Sequence, residues 1–227
     1  KCFYSNPDGA GFMFPKDGKV EVRKGFMEFE DFLEALEEVR DIEGDSIPYV
    51  MHFRIGTQGS NCPELTHPFA ITKDYDEMEQ PSGRYDKAVV HNGIIPLTSN
   101  WKEKHSDTEI FIKEYMSDIL TGYQFNHDPA ILQTIEDLGQ SKFVLMNGRG
   151  DIEMIGRFTE NDGVFYSNDS YKWVGYDDDD YYDDDDYYDD YEKEWDDEYG
   201  YSDDKIESYY KEWIDKYPYE ELIDEFD

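Results

Sequence analysis

At Tyr176 the composition of the chain breaks, and the break limits how much of it can fold. Aspartate runs at Asp177 to Asp180, Asp183 to Asp186 and Asp189 to Asp190 are separated by the tyrosine pairs Tyr181-Tyr182 and Tyr187-Tyr188. Like charge packed this densely repels itself, so residues 176–201 read as an extended, low-complexity acidic linker. From Ser202 the pattern becomes mixed again. There Ile206, Tyr209, Tyr210, Trp213, Ile214 and Tyr217 fall on one face of a short helix over 202–227 that Pro218 would end. The formal charge of −35 divides unevenly: residues 1–175 carry 17 basic and 31 acidic side chains, and residues 176–227 carry 4 and 25. Acidity therefore belongs mostly to the tail, and residues 1–175 have the length of one sizeable domain.

These totals exclude several classes. No basic face is available to release counterions from a phosphate backbone, which argues against direct nucleic-acid binding. No run of about 18 apolar residues exists to span a bilayer, and no charged-then-apolar leader is visible, so the default expectation is a cytoplasmic protein. Cys2 and Cys62 are the only cysteines. Two are too few for a disulfide framework and lack metal-ligand spacing, which fits a reducing compartment and predicts no metal site.

Within 1–175 the pattern is strands, helices, then strands. Pro7-Asp8-Gly9 and Lys16-Asp-Gly-Lys19 are turn signals that bracket the apolar run Ala10-Gly-Phe-Met-Phe14 and precede the alternating Val20-Glu-Val-Arg-Lys24, which predicts a hairpin. Phe29, Phe32, Leu33, Leu36 and Val39 recur at helical spacing up to Gly44. Tyr49 to Ile55, His67 to Ile71 and Ala88 to Ile95 read as strands, with a polar excursion at Lys73 to Tyr85 that is either a lid or an ordinary loop. Helices follow from Ser106 or Asp107 and from Asp128-Pro129, the second stopped by Gly139. Lys142–Met146, Ile152–Ile155 and Val164–Tyr166 then read as a meander of hairpins. Alternating βαβ units are absent, which predicts an α+β fold with mostly antiparallel sheets.

Three polar clusters stand out between Val50 and Ile110 because their surroundings are apolar. Arg54, near the end of a strand, is a fork of donors suited to a carboxylate or to a structural salt bridge. Asn92-Gly93 pairs a side-chain amide with a backbone that can be closely approached, as an oxyanion receptor requires. Asp107 is suited to an ammonium and equally to a helix cap. Thr57 offers a hydroxyl, while His52 reads as a satisfied core histidine. Together they describe a site shaped for an amino acid.

The motifs Asn6-Pro-Asp-Gly-Ala-Gly-Phe12, His52-x-Arg-x-x-Thr57-x-Gly59, His67-Pro68, His91-Asn-Gly93, Asp107-Thr-Glu109 and Ser167-Asn168 occur in the order found in the glutaminase domain of class II glutamine amidotransferases. The chain resembles that family of N-terminal-nucleophile hydrolases over about 165 residues, and each motif alone is weak. The resemblance implies a four-layer αββα sandwich and no cofactor. It also implies glutamine as substrate, with the α-carboxylate on Arg54 and the α-ammonium on Asp107. Asn92 and the Gly93 amide would stabilise the oxyanion while a thiolate displaces ammonia. Gln58 stands where many relatives have histidine. Similar short, stand-alone members are carried by bacteriophages, and the ammonia acceptor is then expected on another polypeptide or is absent.

In that family the attacking group is an N-terminal cysteine whose own α-amine is the base. Lys1 precedes Cys2, and only Phe3-Tyr4-Ser5 separates Cys2 from the Asn-Pro-Asp-Gly turn, so Lys1-Cys-Phe-Tyr reads as the end of the segment before that turn. The expectation is that the nucleophile lies upstream of Lys1, with Cys62 no better placed. A different class of function is also open. The pocket would then be vestigial and the acidic, tyrosine-rich tail would be the working part, binding a basic protein.

Overall fold

The computed structural model describes residues 2–56, 62–96 and 105–169. Thr57, the 176–201 linker and the 202–227 helix expected from the sequence lie outside the described residues. The chain is α+β, with two four-stranded antiparallel sheets and a separate two-stranded ribbon. The first sheet takes β1 (Ala10–Lys16), β2 (Lys19–Phe26), β3 (Val50–Phe53) and β5 (Ser82–Tyr85) in the order β3-β1-β2-β5. The second takes β4 (Phe69–Ala70), β6 (Lys87–Asn92), β7 (Lys142–Asn147) and β8 (Ile152–Ile155) in the order β4-β6-β7-β8. Helices are α1 (Cys2–Ser5), α2 (Phe29–Glu43), α3 (Tyr75–Met78), α4 (Asp107–Phe111), α5 (Ser117–Ile119) and α6 (Pro129–Gly139).

Residue alternation in the strands sorts the apolar side chains into three clusters. Phe12 and Phe14 leave β1 on one face and bury against Phe32, Leu36 and Val39 of α2. Met13, between them, leaves the opposite face and meets Val20 and Val22 of β2 and Ala88, Val90 and Met146 of the second sheet. The alternate residues of the second sheet, Val89, Phe143 and Leu145, pack with Phe111, Ile112, Met116 and Ile135 from the helical segments. A continuous apolar run such as Ala10-Gly-Phe-Met-Phe14 suits a strand buried on both faces, and each fully buried phenylalanine contributes about 1.5–3 kcal/mol.

Local chemistry accounts for the element ends. Asp17 and Gly18 both have positive φ, 51° and 75°, as a two-residue hairpin turn between β1 and β2 requires. α2 stops at Gly44, whose N–H reaches the Arg40 carbonyl at 2.8 Å. α4 begins with a reciprocal capping box: Ser106 Oγ accepts from the Glu109 N–H, and the Glu109 carboxylate accepts from the Ser106 N–H. Helical winding runs on from α4 through a wide π turn at Ile112–Met116 into α5.

Three expectations change. The excursion at 73–85 is not a lid: it forms α3 and then β5, which pairs with β2 along the edge of the first sheet. The last three strands do not form one meander. β7 and β8 pair within the second sheet, whereas β9 (Thr159–Asn161) and β10 (Val164–Tyr166) pair only with each other. Gly156, with φ of 93° and packed on Lys142, turns the chain away between them. The stop of α6 falls to Gln140 in a left-handed conformation. Gly139 is small because the Phe143 ring lies 2.6 Å from where its Cβ would be. Ahead of β1, Cys2–Ser5 is a single helical turn that buries Phe3 against Phe29 and Phe53.

Candidate functional site at the ends of β3 and β6

The Asn-Pro-Asp-Gly turn holds the end of β3 in place. Asp8 N–H donates to the Arg54 carbonyl at 2.9 Å, Arg54 N–H donates to the Gly9 carbonyl at 2.8 Å, and the Asp8 carboxylate accepts from Gly56 N–H at 2.8 Å. Arg54, just past β3, is thereby buried with its backbone fully engaged. Gly11 serves the neighbouring contact: a Cβ there would fall 2.2 Å from the His67 carbonyl. The glycine thus lets the His67-Pro68 segment close over β1.

His52 joins this strand to the second sheet. Its Nε2 lies 3.0 Å from the His91 carbonyl, which can only accept, so His52 carries its proton on Nε2. Its ring packs against His67 with centroids 4.3 Å apart. His91 in turn packs on Phe143 and places Nδ1 2.9 Å from Thr108 Oγ1. Thr108 Oγ1 also lies 3.1 Å from Asp107 Oδ1. The single hydroxyl proton goes to the carboxylate, so His91 donates from Nδ1 to Thr108, which donates to Asp107. Burial lowers His52 and His91 to about 3 and holds His67 well below the usual histidine range, so all three are neutral near pH 7.

Asp107 closes the loop between strand and helix. Its Oδ2 accepts from Ile95 N–H at 3.0 Å, and its Oδ1 accepts from Thr108 N–H at 2.7 Å. Ser106, not Asp107, is the helix cap, so the carboxylate points back to the segment after Asn92-Gly93. Burial pushes the Asp107 carboxyl above its ordinary value, opposed by these hydrogen bonds and by the positive charge of Arg54.

Asn92 is the last residue of β6, and Gly93 follows the strand instead of interrupting it. Asn92 Nδ2 donates to Ser167 Oγ at 3.0 Å, and the Lys142 ammonium donates to the Ser167 carbonyl. Gly93 has φ of 132°, and a Cβ on it would lie 2.2 Å from Ser141 Oγ. What approaches this glycine is therefore the protein's own serine, whose hydroxyl donates to the Ile94 carbonyl at 3.3 Å.

Of the residues expected from the sequence, Asp107 is joined through Thr108 to the His91 ring, and Arg54 and Asn92-Gly93 stand within two residues of His52 and His91, which meet at the His91 carbonyl. Thr57 lies outside the described residues. Ser141, Lys142 and the linking role of Thr108 were not foreseen. Ser167-Asn168 carried a motif signal, whereas Ser141 carried none, because its part depends on a turn that only the fold brings beside Gly93. α1, which carries Cys2, packs through Phe3 on the Phe53 side of the first sheet, while His52 leaves the other side. Among the described residues no helix is long and apolar enough to cross a membrane. Compared with known proteins, the chain matches no family model and no curated sequence.

Proposed function

We propose that this chain binds glutamine at the ends of β3 and β6, in a site of the class II glutamine amidotransferase kind built to hydrolyse the side-chain amide. The observation that carries this reading is the contact relay from His52 to His91, 39 residues apart, and from His91 to Thr108, 17 residues apart. It joins the strand that precedes Arg54, the strand that ends in Asn92 and the helix start that carries Asp107, which supports a shared pocket for the three motifs. The order of the apolar clusters supports it too. They stack α2, the first sheet, the second sheet and the segment from α4 to α6, which fits the four-layer αββα sandwich of N-terminal-nucleophile hydrolases.

Hydrogen-bonding capacity is compatible with the assigned roles. Asp107 accepts three bonds where a carboxylate has about four acceptor positions, leaving one for an α-ammonium. Asn92 has committed one of its two amide hydrogens to Ser167, leaving the second for an oxyanion beside the Gly93 N–H. Arg54 then takes the α-carboxylate. The attacking group is a thiol with a free α-amine, and the released ammonia passes to an acceptor on another polypeptide.

Calorimetric titration of the chain with glutamine tests the binding half, and ammonia release from a form with a free N-terminal cysteine tests the chemistry. Glutamine is expected to saturate one site, and Arg54→Lys to weaken it at least about tenfold, since a single ammonium cannot reproduce a bidentate fork. A folded wild-type chain that ignores glutamine, or an Arg54→Lys variant with unchanged affinity, overturns the reading. The tail supports a second reading, a protein that works by attracting a basic partner, because residues 176–227 carry 25 acidic side chains against 4 basic. Glutamine binding without turnover in the free-cysteine form would favour that alternative.

A further inference from the structure

Glu79, His105 and Glu109 meet at the start of α4. Glu79 follows α3, while His105 and Glu109 flank the Ser106 cap of α4. Each offers one ligand atom, and these atoms all lie within 4.8 Å of one another. His105 Nδ1 is 3.3 Å from Glu79 Oε1 and 3.7 Å from Glu109 Oε1. Yet His105 Nδ1 makes no hydrogen bond, and Glu109 Oε1 makes none either, although Glu109 is fully buried. A buried carboxylate oxygen without a donor is costly, and native proteins rarely leave one.

We propose that these three side chains bind one divalent transition-metal ion of the zinc or manganese type. Ligands about 2.0–2.2 Å from a tetrahedral ion sit about 3.3–3.6 Å from each other, so the 3.3 Å separation fits as it stands and the 3.7 Å one needs only a slight inward shift. One imidazole and two carboxylates form a donor set that such ions accept, with remaining positions open to water. The ligands are also held from behind. Glu109 Oε2 accepts from Ser106 N–H at 2.7 Å and from Ser106 Oγ–H at 2.9 Å, which turns Oε1 towards the histidine. The His105 ring stacks on Tyr75 at 3.5 Å with planes 7° apart, and the Lys113 ammonium covers Tyr75 at 3.8 Å. Lys24, whose charge faces Glu109 and Glu79, spends its donors on the Glu64 and Met78 carbonyls at 2.9 and 2.5 Å. The ion joins the end of α3 to the first turn of α4, and so fixes the turn that carries Asp107.

The competing explanation is an imidazolium held between two carboxylates without a metal, and the experiment separates the two. The full chain, stripped with a chelator, is titrated with zinc by calorimetry and with cobalt(II) while its visible d–d absorption is followed. Residues 176–227 carry 25 acidic side chains and would give a weak, unsaturable background in every variant, so the readout is one saturable equivalent above it. Expected is one such equivalent in the wild type, with cobalt bands of low coordination number. Its affinity falls at least about tenfold in His105→Ala and in Glu79→Gln, both checked for fold by circular dichroism. Should His105→Ala fail to fold, the partly exposed Glu79→Gln decides. Absence of a saturable equivalent in the wild type, or a folded variant that binds as the wild type does, overturns the proposal. None of these readouts requires glutamine or turnover.

Discussion

Replacing Gly93 with alanine tests the geometry at the end of β6, because two separable penalties act there. The new Cβ would stand 2.2 Å from Ser141 Oγ, an overlap that forces a shift in a packed site and costs about 1–3 kcal/mol. The residue would also hold φ at 132°, a region L side chains rarely adopt, which costs of order 1–3 kcal/mol more. Ser141→Ala removes the offending oxygen and leaves its Cβ 3.4 Å from the added one, an ordinary contact. By itself that change loses only the 3.3 Å bond to the Ile94 carbonyl, about 0.5–1.5 kcal/mol. A double-mutant cycle from urea unfolding midpoints should therefore show the pair more stable than the sum of its singles by about 1–3 kcal/mol. The backbone penalty should remain. A coupling indistinguishable from zero would refute the steric argument, and a Gly93→Ala variant as stable as wild type would refute both parts.

Other outcomes follow from the same structure. Burial lowers Lys24 to about 7 from 10.5, so the folded state binds fewer protons than the unfolded one between those values, and stability rises as pH increases from about 7 towards 10.5. Urea midpoints across this range should climb in the wild type by up to about 1.4 kcal/mol per pH unit and stay flatter in Lys24→Met. The lowered values of His52 and His91, about 3 against 6.5, have the same consequence in acid: unfolded chains take up protons first, so stability falls as pH drops from 6.5 towards 3. Nitrogen-resolved NMR of the imidazoles should find both rings neutral at pH 5, His52 protonated on Nε2 and His91 on Nδ1. Phe12→Ala should cost about 3–5 kcal/mol in the same unfolding assay, because that ring is fully buried among Phe14, Phe26 and Phe32.

Local signals in the sequence were read well where one short segment decides the outcome. The helical spacing of Phe32, Leu36 and Val39, the Asp17-Gly18 turn and the capping residues before α4 and α6 each act within a few residues of themselves. The class of fold followed from their order, since separate runs of strand and helix leave no βαβ crossover to build a parallel sheet. Errors arose where a short segment had a choice of partner. Nothing within Ser82–Tyr85 announces that it will pair with β2, and nothing within Val164–Tyr166 announces that it will miss the second sheet.

The candidate site divides along the same line. The sequence by itself determined which groups are present: a guanidinium after a strand, an amide next to a glycine, an acid at a helix start. Only the tertiary structure decided what each faces. Asp107 turned out to hold Ile95 in addition to the cap region, Gly93 made room for Ser141, and Glu79 met His105 and Glu109 although no spacing between them suggests a ligand set. The physical reason is range. Turn, cap and periodicity preferences are set by neighbours along the chain, whereas a hydrogen bond or an ion pair across sheets depends on where the packing of apolar faces brings two backbones together.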